Sequence, residues 1–262
     1  MIPMNCSASS LAGAGAWKVE GFSVTGVSHV RQASPCEDSC GWFATDELIG
    51  LVLADGAGSA RHSASGSKLV IRTAVSSLLQ NALFNHSITP ETVQRSLVSA
   101  FRHGVENLYG HAFETGTEPQ DLACTLLIVV AGPNYISCAH LGDGAVVIEE
   151  EDFSLRTLSS PTNGEFANET ALLGCCDAVD VTVTTLLDTR VRSIAAFTDG
   201  IQRLALLFPS CAPHESFFKP LFERIRQASE DEMNCTITDL LMSPSIAART
   251  HDDTTLALAH RS

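Results

Sequence analysis

The sequence predicts an α+β fold in which two antiparallel sheets pack as a sandwich and helices cover them. Three observations predict it. Strand-like segments come in blocks, so the strict strand-helix alternation of a parallel sheet is absent. Helical stretches come in pairs, one pair in each half of the chain. No Pro/Gly-rich linker divides the chain and no segment repeats. With 262 residues, 45% hydrophobic and only 18% charged, there is enough apolar side chain to bury a core and too much for a disordered chain.

The elements follow in order. Residues 1–16 are small and polar and read as a flexible tail, leaving 17–262 as a single domain. Val19–Ser28, Cys40–Ala44 and Glu47–Ala54 are β-rich or apolar and separated by turn residues. Ser63–Asn85 carries Leu69, Val70, Thr73, Ala74 and Leu78 at helical spacing. A second helix opens with Thr89-Pro90-Glu91, an N-cap, a proline in the first turn and an early acid, and runs to about Phe113. Strands resume at Cys124–Ala131, Tyr135–His140 and Ala145–Glu150. Ser159–Thr170 reads as a polar loop, long enough to face a substrate. Val179–Leu187 and Val191–Phe197 read as strands. Pro213–Ala228 and Glu230–Met242 read as helices, the first with Phe217, Phe218, Leu221, Phe222 and Ile225 on one face. Thr254–His260 closes the chain as a strand.

Charge and cysteine content narrow the function. Sixteen Lys/Arg against 30 Asp/Glu give a net charge of −14, which argues against nucleic acid as a partner. No apolar run approaches the ~20 residues that cross a bilayer, so no membrane partner is expected. Nine cysteines are an odd number with no CxxC pair, and no secretory leader precedes Lys18. This reads as a reduced, cytoplasmic protein, with a monomer as the default.

The chemistry-bearing feature is a recurrent ending. Apolar strands run into Asp-Gly at Ala54-Asp55-Gly56, at Gly142-Asp143-Gly144 and at Thr198-Asp199-Gly200, while Glu37-Asp38 and Asp252-Asp253 precede strands. Strand ends hold side chains rigidly, and Gly lets the chain turn sharply beside a ligand. Carboxylates gathered from several strands repel unless a cation neutralises them. Hard oxygen ligands select Mg²⁺ or Mn²⁺, and two such ions activate water and clamp a phosphoryl group. Gly142-Asp143-Gly144, lying between neighbouring strands, reads as a hairpin turn. Gly66-Ser67-Lys68 is not a P-loop, because Lys does not follow Gly directly. Leu53 stands where a dehalogenase-type phosphotransferase carries a second Asp. No Gly-x-Ser-x-Gly elbow or His-Glu-x-x-His helix is present.

Taken in order, these blocks resemble the protein phosphatase 2C family of metal-dependent Ser/Thr phosphatases. The resemblance runs from about Gly21 to Ala259 and includes Ala123-Cys124-Thr125-Leu126, His140-Leu141-Gly142-Asp143-Gly144, Gly164–Thr170 and Asp252-Asp253-Thr254-Thr255. It implies a four-layer αββα sandwich with two Mn²⁺ or Mg²⁺ ions at one edge. Asp55 would bridge both ions, Asp199 and Asp252 would complete one site, and the Gly56 carbonyl with Glu37 and Asp38 would serve the other. Asp38, Asp55, Asp199 and Asp252 would thus be catalytic, with a metal-bridging hydroxide attacking phosphorus in line. Asp121 matches an acid of a third, weaker metal site. The implied substrate is phosphoserine or phosphothreonine in a protein, opposed by a Ser/Thr kinase. A non-catalytic phosphoprotein-binding module of the same fold is the competing reading.

Three positions depart from the family pattern. Ala33 replaces the usual phosphate-binding Arg, for which Arg31 and Arg203 are the candidate substitutes. Ala57 replaces a His seen in many members. Arg203 itself stands where a second third-metal acid is usual.

Overall fold

The structure is a computed structural model and describes residues 3–5, 7–10, 17–84, 89–161, 172–175, 182–187 and 189–261. The elements in chain order are β1 (Pro3–Asn5), β2 (Ser7–Ser10), β3 (Trp17–Val24), α1 (Val27–Gln32), β4 (Ser39–Ala44), β5 (Ile49–Ala54), α2 (Ser63–Phe84) and α3 (Pro90–Thr115). Next come β6 (Leu126–Ala131), β7 (Tyr135–Leu141), β8 (Ala145–Glu150), β9 (Leu155–Ser159), β10 (Thr182–Leu187) and β11 (Val191–Phe197). The last group is α4 (Gln202–Ala205), β12 (Leu206–Leu207), β13 (Ala212–Pro213), α5 (Glu215–Gln227), α6 (Glu230–Leu241), α7 (Pro244–Ala247) and β14 (Thr254–Arg261).

Two six-stranded sheets form, in the orders β1-β3-β14-β11-β8-β9 and β10-β7-β6-β5-β4-β2. Their strands are antiparallel apart from the β2–β4 pair. The sheets stack, and three apolar layers result. Between the sheets lie Trp17, Trp42, Leu51, Leu53, Val129, Ile148, Ile194 and Ala257. Over the outer face of the second sheet, α2 and α3 bury Val70, Ala74, Leu97 and Phe101 against Val52, Ile128 and Val130. Over the first sheet, α5 and α6 bury Phe218, Phe222, Ile225, Met233 and Ile237 against Phe22, Val147, Phe197 and Leu258. Each central strand is covered on both faces, which is why β5 and β6 read as unbroken apolar runs rather than alternating ones. The expected four layers are present.

Local chemistry sets the helix ends. Thr89 caps α3, accepting from the Thr92 amide, and Thr92 returns the bond to the Thr89 amide at 2.8 Å. Gly116 closes the helix at φ +67°, a left-handed cap. Ser229 and Glu232 form the same reciprocal box on α6.

Four expectations change. The segment expected as a tail contributes β1 and β2, which pair with β3 and β4. Its Ser, Ala and Asn side chains carry no apolar alternation, so backbone pairing left no trace in composition. Val27 and Ser28, expected to extend the first strand, begin the short helix α1 instead. Gly142-Asp143-Gly144 is not a hairpin, because β7 lies in one sheet and β8 in the other. The chain crosses the sandwich there, and Gly142 at φ +123° makes the turn against Thr125. Within the strand expected at Ala145–Glu150, Glu149 is buried and ion-paired to Arg226 at 3.0 Å. Cys40 is disulfide-bonded, where reduced thiols were expected throughout. Most of the 159–170 loop, with the Gly164–Thr170 block, lies outside the described residues. Among the described residues, no helix is long and apolar enough to cross a membrane.

Phe222 is fully buried between α5 and the first sheet. Phe222→Ala is expected to lower stability by about 3–5 kcal/mol, read as a fall in the urea midpoint with little change in slope.

Candidate active site

Topology delivers the carboxylates to one end of the sandwich. In the second sheet Ser39 pairs with Ala54, so Asp38 entering β4 and Asp55 leaving β5 stand side by side. In the first sheet Phe197 pairs with both Leu256 and Ala145. Asp199 leaving β11, Asp252-Asp253 entering β14 and Asp143 entering β8 therefore share the same edge. Two sheets thus contribute two sets of acids to one seam.

Asp38 ties the seam together. It is 1% exposed, and its Oδ2 accepts from the Thr198 hydroxyl at 2.8 Å and the Thr255 hydroxyl at 2.6 Å. Both threonines belong to the opposite sheet. Thr198 Oγ1 in turn accepts the Thr255 amide at 3.1 Å. Asp253 is the second tie. Its Oδ1 accepts the Gly26 amide at 2.6 Å and lies 2.9 Å from His29 Nδ1, while Oδ2 accepts the Glu37 amide at 2.6 Å. The Asp55 loop is held by backbone pairing with 123–125. The Asp55 amide donates to Thr125 Oγ1, and the Thr125 amide to the Asp55 carbonyl, each at 2.8 Å. Gly56 is packed so closely that a Cβ there would stand 2.7 Å from Ser63 Cβ and 3.0 Å from Glu37 Cβ.

The electrostatics are those of crowded like charges. Burial, with the charge of Asp253, pushes Asp38 up to about 8 despite the threonine hydrogen bonds. Burial and the charges of Asp38 and Asp199 hold Asp55 well above the ordinary carboxylate range. Burial, then Asp143 and Asp252, push Asp199 up to about 6. Asp55 feels the charges of Asp38 and Asp199 most strongly, so protons relieve the repulsion when no cation does. Glu37 is raised by burial and eased by a hydrogen bond from Ser63. For His29, burial alone would lower the imidazole, but the hydrogen bond and charge of Asp253, with the charge of Glu37, give a net rise.

These residues fit a divalent cation. Asp38 Oδ1 and Asp199 Oδ1 are buried without a hydrogen-bond partner, a costly state for an anionic oxygen unless a cation takes it up. The donor set is all oxygen, as Mg²⁺ and Mn²⁺ require. Among the described residues, no group of three or more His, Cys, Asp or Glu side chains stands as placed to hold a metal ion by itself. Mg²⁺-type sites need few carboxylates, since waters complete them.

The expected residues do not all gather. Glu37, Asp38, Asp55, Gly56, Asp199 and Asp252 lie along this edge, with Asp252 exposed at its mouth. Asp121 lies on the turn Pro119–Leu122, where its carbonyl accepts the His62 amide at 2.7 Å. The charges that act most on Asp55 are Asp38, Asp199 and Asp143. Asp143 therefore belongs to the cluster, which the hairpin reading missed. A cleft of about 520 Å³ opens over the edge, lined by Asp143, Asp199, Asp252, Arg203, Phe208 and Arg249 among others. Arg203 lines it, whereas Arg31 is exposed on α1 and does not. Arg249 carried no sequence signal, since nothing in the turn after α7 distinguishes it from a surface arginine.

Comparison with known proteins agrees with this geometry. The family model described as Protein phosphatase 2C matches residues 25–242. Serine/threonine-protein phosphatase 3 of Escherichia coli (strain K12) is 32% identical over 251 residues, covering 93% of this chain and 98% of its own. The serine/threonine phosphatase Stp1 from Staphylococcus aureus superposes with a TM-score of 0.68 at 16% identity, over 94% of this chain and 95% of its own. The catalytic domain of the serine/threonine protein phosphatase PstP in complex with two manganese ions superposes at 0.61 and 16% identity, over 93% and 97%.

The raised carboxylates set a pH dependence. Their folded-state values lie above the ordinary unfolded value, so their contribution to stability is complete below about pH 4. It is lost as pH rises through about 6 for Asp199 and about 8 for Asp38. The melting temperature of the metal-free protein is therefore expected to fall between pH 5 and pH 8. Added Mn²⁺ should restore it most at the upper end, where the ligands are deprotonated. Thermal melts across pH with EDTA or Mn²⁺ check this.

Proposed function

This chain belongs to the protein phosphatase 2C family and is a serine/threonine protein phosphatase, and we propose that its carboxylate seam is the catalytic centre, removing phosphate from phosphoserine and phosphothreonine in proteins. The observation that carries this reading is the convergence of Asp38, Asp55 and Asp199 from both sheets, with two buried, unpartnered carboxylate oxygens. Asp55 and Asp199, with Asp252 at the cleft mouth, would hold one Mn²⁺ or Mg²⁺. Asp55, the Gly56 carbonyl, Glu37 and Asp38 would hold a second. Two such ions, when bound, supply an activated water for in-line attack and neutralise charge on the transferred phosphoryl group. Asp121 is the candidate acid for a third, weaker ion.

The chain's own residues do the rest. Thr198 and Thr255 fix one oxygen of Asp38, which leaves the other for a cation. Asp253 locks the Gly26 and Glu37 backbone and aligns His29, so the two entry loops keep their spacing when the ions change. In the cleft, Arg203 is the cation for the substrate phosphate in place of the residue lost at Ala33. Among the described residues it makes no ion pair, so its guanidinium is available for bidentate contact with phosphate. Arg249 stands on the same cleft and adds positive potential. Arg31, the other candidate from the sequence, lies off the cleft. A monomeric state and an opposing Ser/Thr kinase complete the reading.

Asp55→Asn is expected to cut Mn²⁺-dependent hydrolysis of p-nitrophenyl phosphate by about a hundredfold or more, and unchanged turnover would overturn the assignment. Arg203→Ala is expected to raise KM for a phosphopeptide by roughly tenfold or more with a smaller effect on kcat, from loss of one charge-assisted hydrogen-bonding group.

A further inference from the structure

Positive charge is concentrated on one face of the molecule. Residues 61–115 hold five of the 16 Lys/Arg, namely Arg61, Lys68, Arg72, Arg95 and Arg102, and three of the 30 Asp/Glu, namely Glu91, Glu106 and Glu114. The helix α2 contains no acid at all. The chain as a whole has a net charge of −14, so this segment opposes the rest of the surface. All five cations are exposed. Among the described residues none of them makes a side-chain ion pair, whereas Arg156, Arg190, Lys219 and Arg226 each do. Solvated, unpaired cations of this density raise the local potential and attract anions.

The face also has relief. Lys68 and Arg72 are four residues apart on α2, and Arg95 and Arg102 seven apart on α3, so each pair shares a helix face. A groove of about 430 Å³ runs beside Arg72, Thr73, Gln80, His103 and Asn107. A second, of about 480 Å³, is lined by Arg95, Val98, Ser99 and Arg102. Hydroxyl and amide groups beside the arginines suit a peptide carrying carboxylates and backbone carbonyls.

The face begins at the active site. Ser63, the first residue of α2, hydrogen-bonds the Glu37 side chain. Arg72 lies nine residues along, about 14 Å at helical rise and half a turn around the axis, so it stands on the exposed side of α2 opposite the buried Ser63. An extended peptide covers that distance in about four residues.

We propose that the outer face of α2 and α3 docks an acidic segment of the phosphoprotein substrate, placed about four or more residues from the phosphorylated side chain. This rests on the protein-phosphatase reading above. A membrane or a nucleic acid presents a broad anionic surface that would also meet the acidic remainder of the chain. A second copy would have to pair this basic face with a different, acidic face, a heterologous contact, since the face repels itself. A short acidic segment matches the size of the patch.

The test uses the Mn²⁺-loaded enzyme and phosphoserine peptides of equal length. One set carries a four-Glu tract beginning five residues from the phosphoserine, on either side in separate peptides, and the other carries Gln in those places. One Glu peptide is expected to show a KM about three- to tenfold below its Gln counterpart, the range for a few exposed ion pairs. The advantage should vanish at high salt and in the double variant R72E/R102E, with turnover of p-nitrophenyl phosphate unchanged. R72Q/R102Q should lose part of it, and matching thermal melts exclude misfolding. Equal KM values for both Glu peptides and their Gln counterparts overturn the proposal. So does an advantage that persists in R72E/R102E. Variant-sensitive binding to anionic phosphatidylserine vesicles or duplex DNA tighter than to the Glu peptide, or variant-sensitive self-association in sedimentation, also overturns it. If wild-type turnover of p-nitrophenyl phosphate is itself absent, the catalytic reading fails. Fluorescence anisotropy of the labelled Glu peptide, with and without R72E/R102E, then still decides the docking site.

Discussion

The arrangement depends on one buried carboxylate. Asp38 starts a strand of one sheet and accepts hydroxyl hydrogen bonds from two threonines of the other. A sandwich held only by apolar side chains could slide by small amounts without much cost, because the hydrophobic effect is non-directional. A buried carboxyl group with fixed donors cannot, since an unmade bond there carries the full desolvation penalty. The same residue therefore sets the spacing of the two sheets and the place where their acidic ends meet.

That constraint has an electrostatic consequence. The strand ends that Asp38 draws together carry further aspartates, so the fold gathers like charges in a poorly solvated seam. Protons relieve the repulsion in the metal-free protein, and divalent ions would relieve it better near neutral pH. The net charge of −14 thus has parts of different kinds. One is the acidic seam, a second is the acidic outer surface, and a third is the basic face of α2 and α3 that opposes both. The seam and the basic face meet at Ser63, which touches Glu37 and opens α2. The cleft arginines, Arg203 and Arg249, line the pocket together with Asp143, Asp199 and Asp252. Anionic substrate groups would meet cations on both flanks of the site.

Much of this was legible in the residues. The apolar runs ending in Asp-Gly marked Asp55 and Asp199, because a covered strand reads as a continuous apolar segment and a tight exit needs glycine. The Thr89-Pro90-Glu91 start of α3 and the aromatic face of α5 were equally plain, since local caps and one-sided apolar spacing do not depend on distant partners. Gly142-Asp143-Gly144 misled for the opposite reason. A turn between two adjacent strands looks the same whether the chain pairs back on itself or crosses to another sheet. Residues 3–10 misled because edge pairing uses backbone groups that every residue possesses. Arg249 was invisible because its importance lies only in what stands across the cleft.

The sequence by itself determined the class of the fold, the family and the acids at its strand ends, all of which rest on local patterns and on the order of short blocks. Only the tertiary structure decided that Asp143 joins the acidic seam, that Asp253 is a tie between loops while Asp252 faces the cleft, and that Arg203 rather than Arg31 reaches the site. Those distinctions depend on which of two neighbouring side chains points inward and on which sheet each strand joins. Both are fixed by pairing between residues up to 244 positions apart, a separation at which no local pattern carries information.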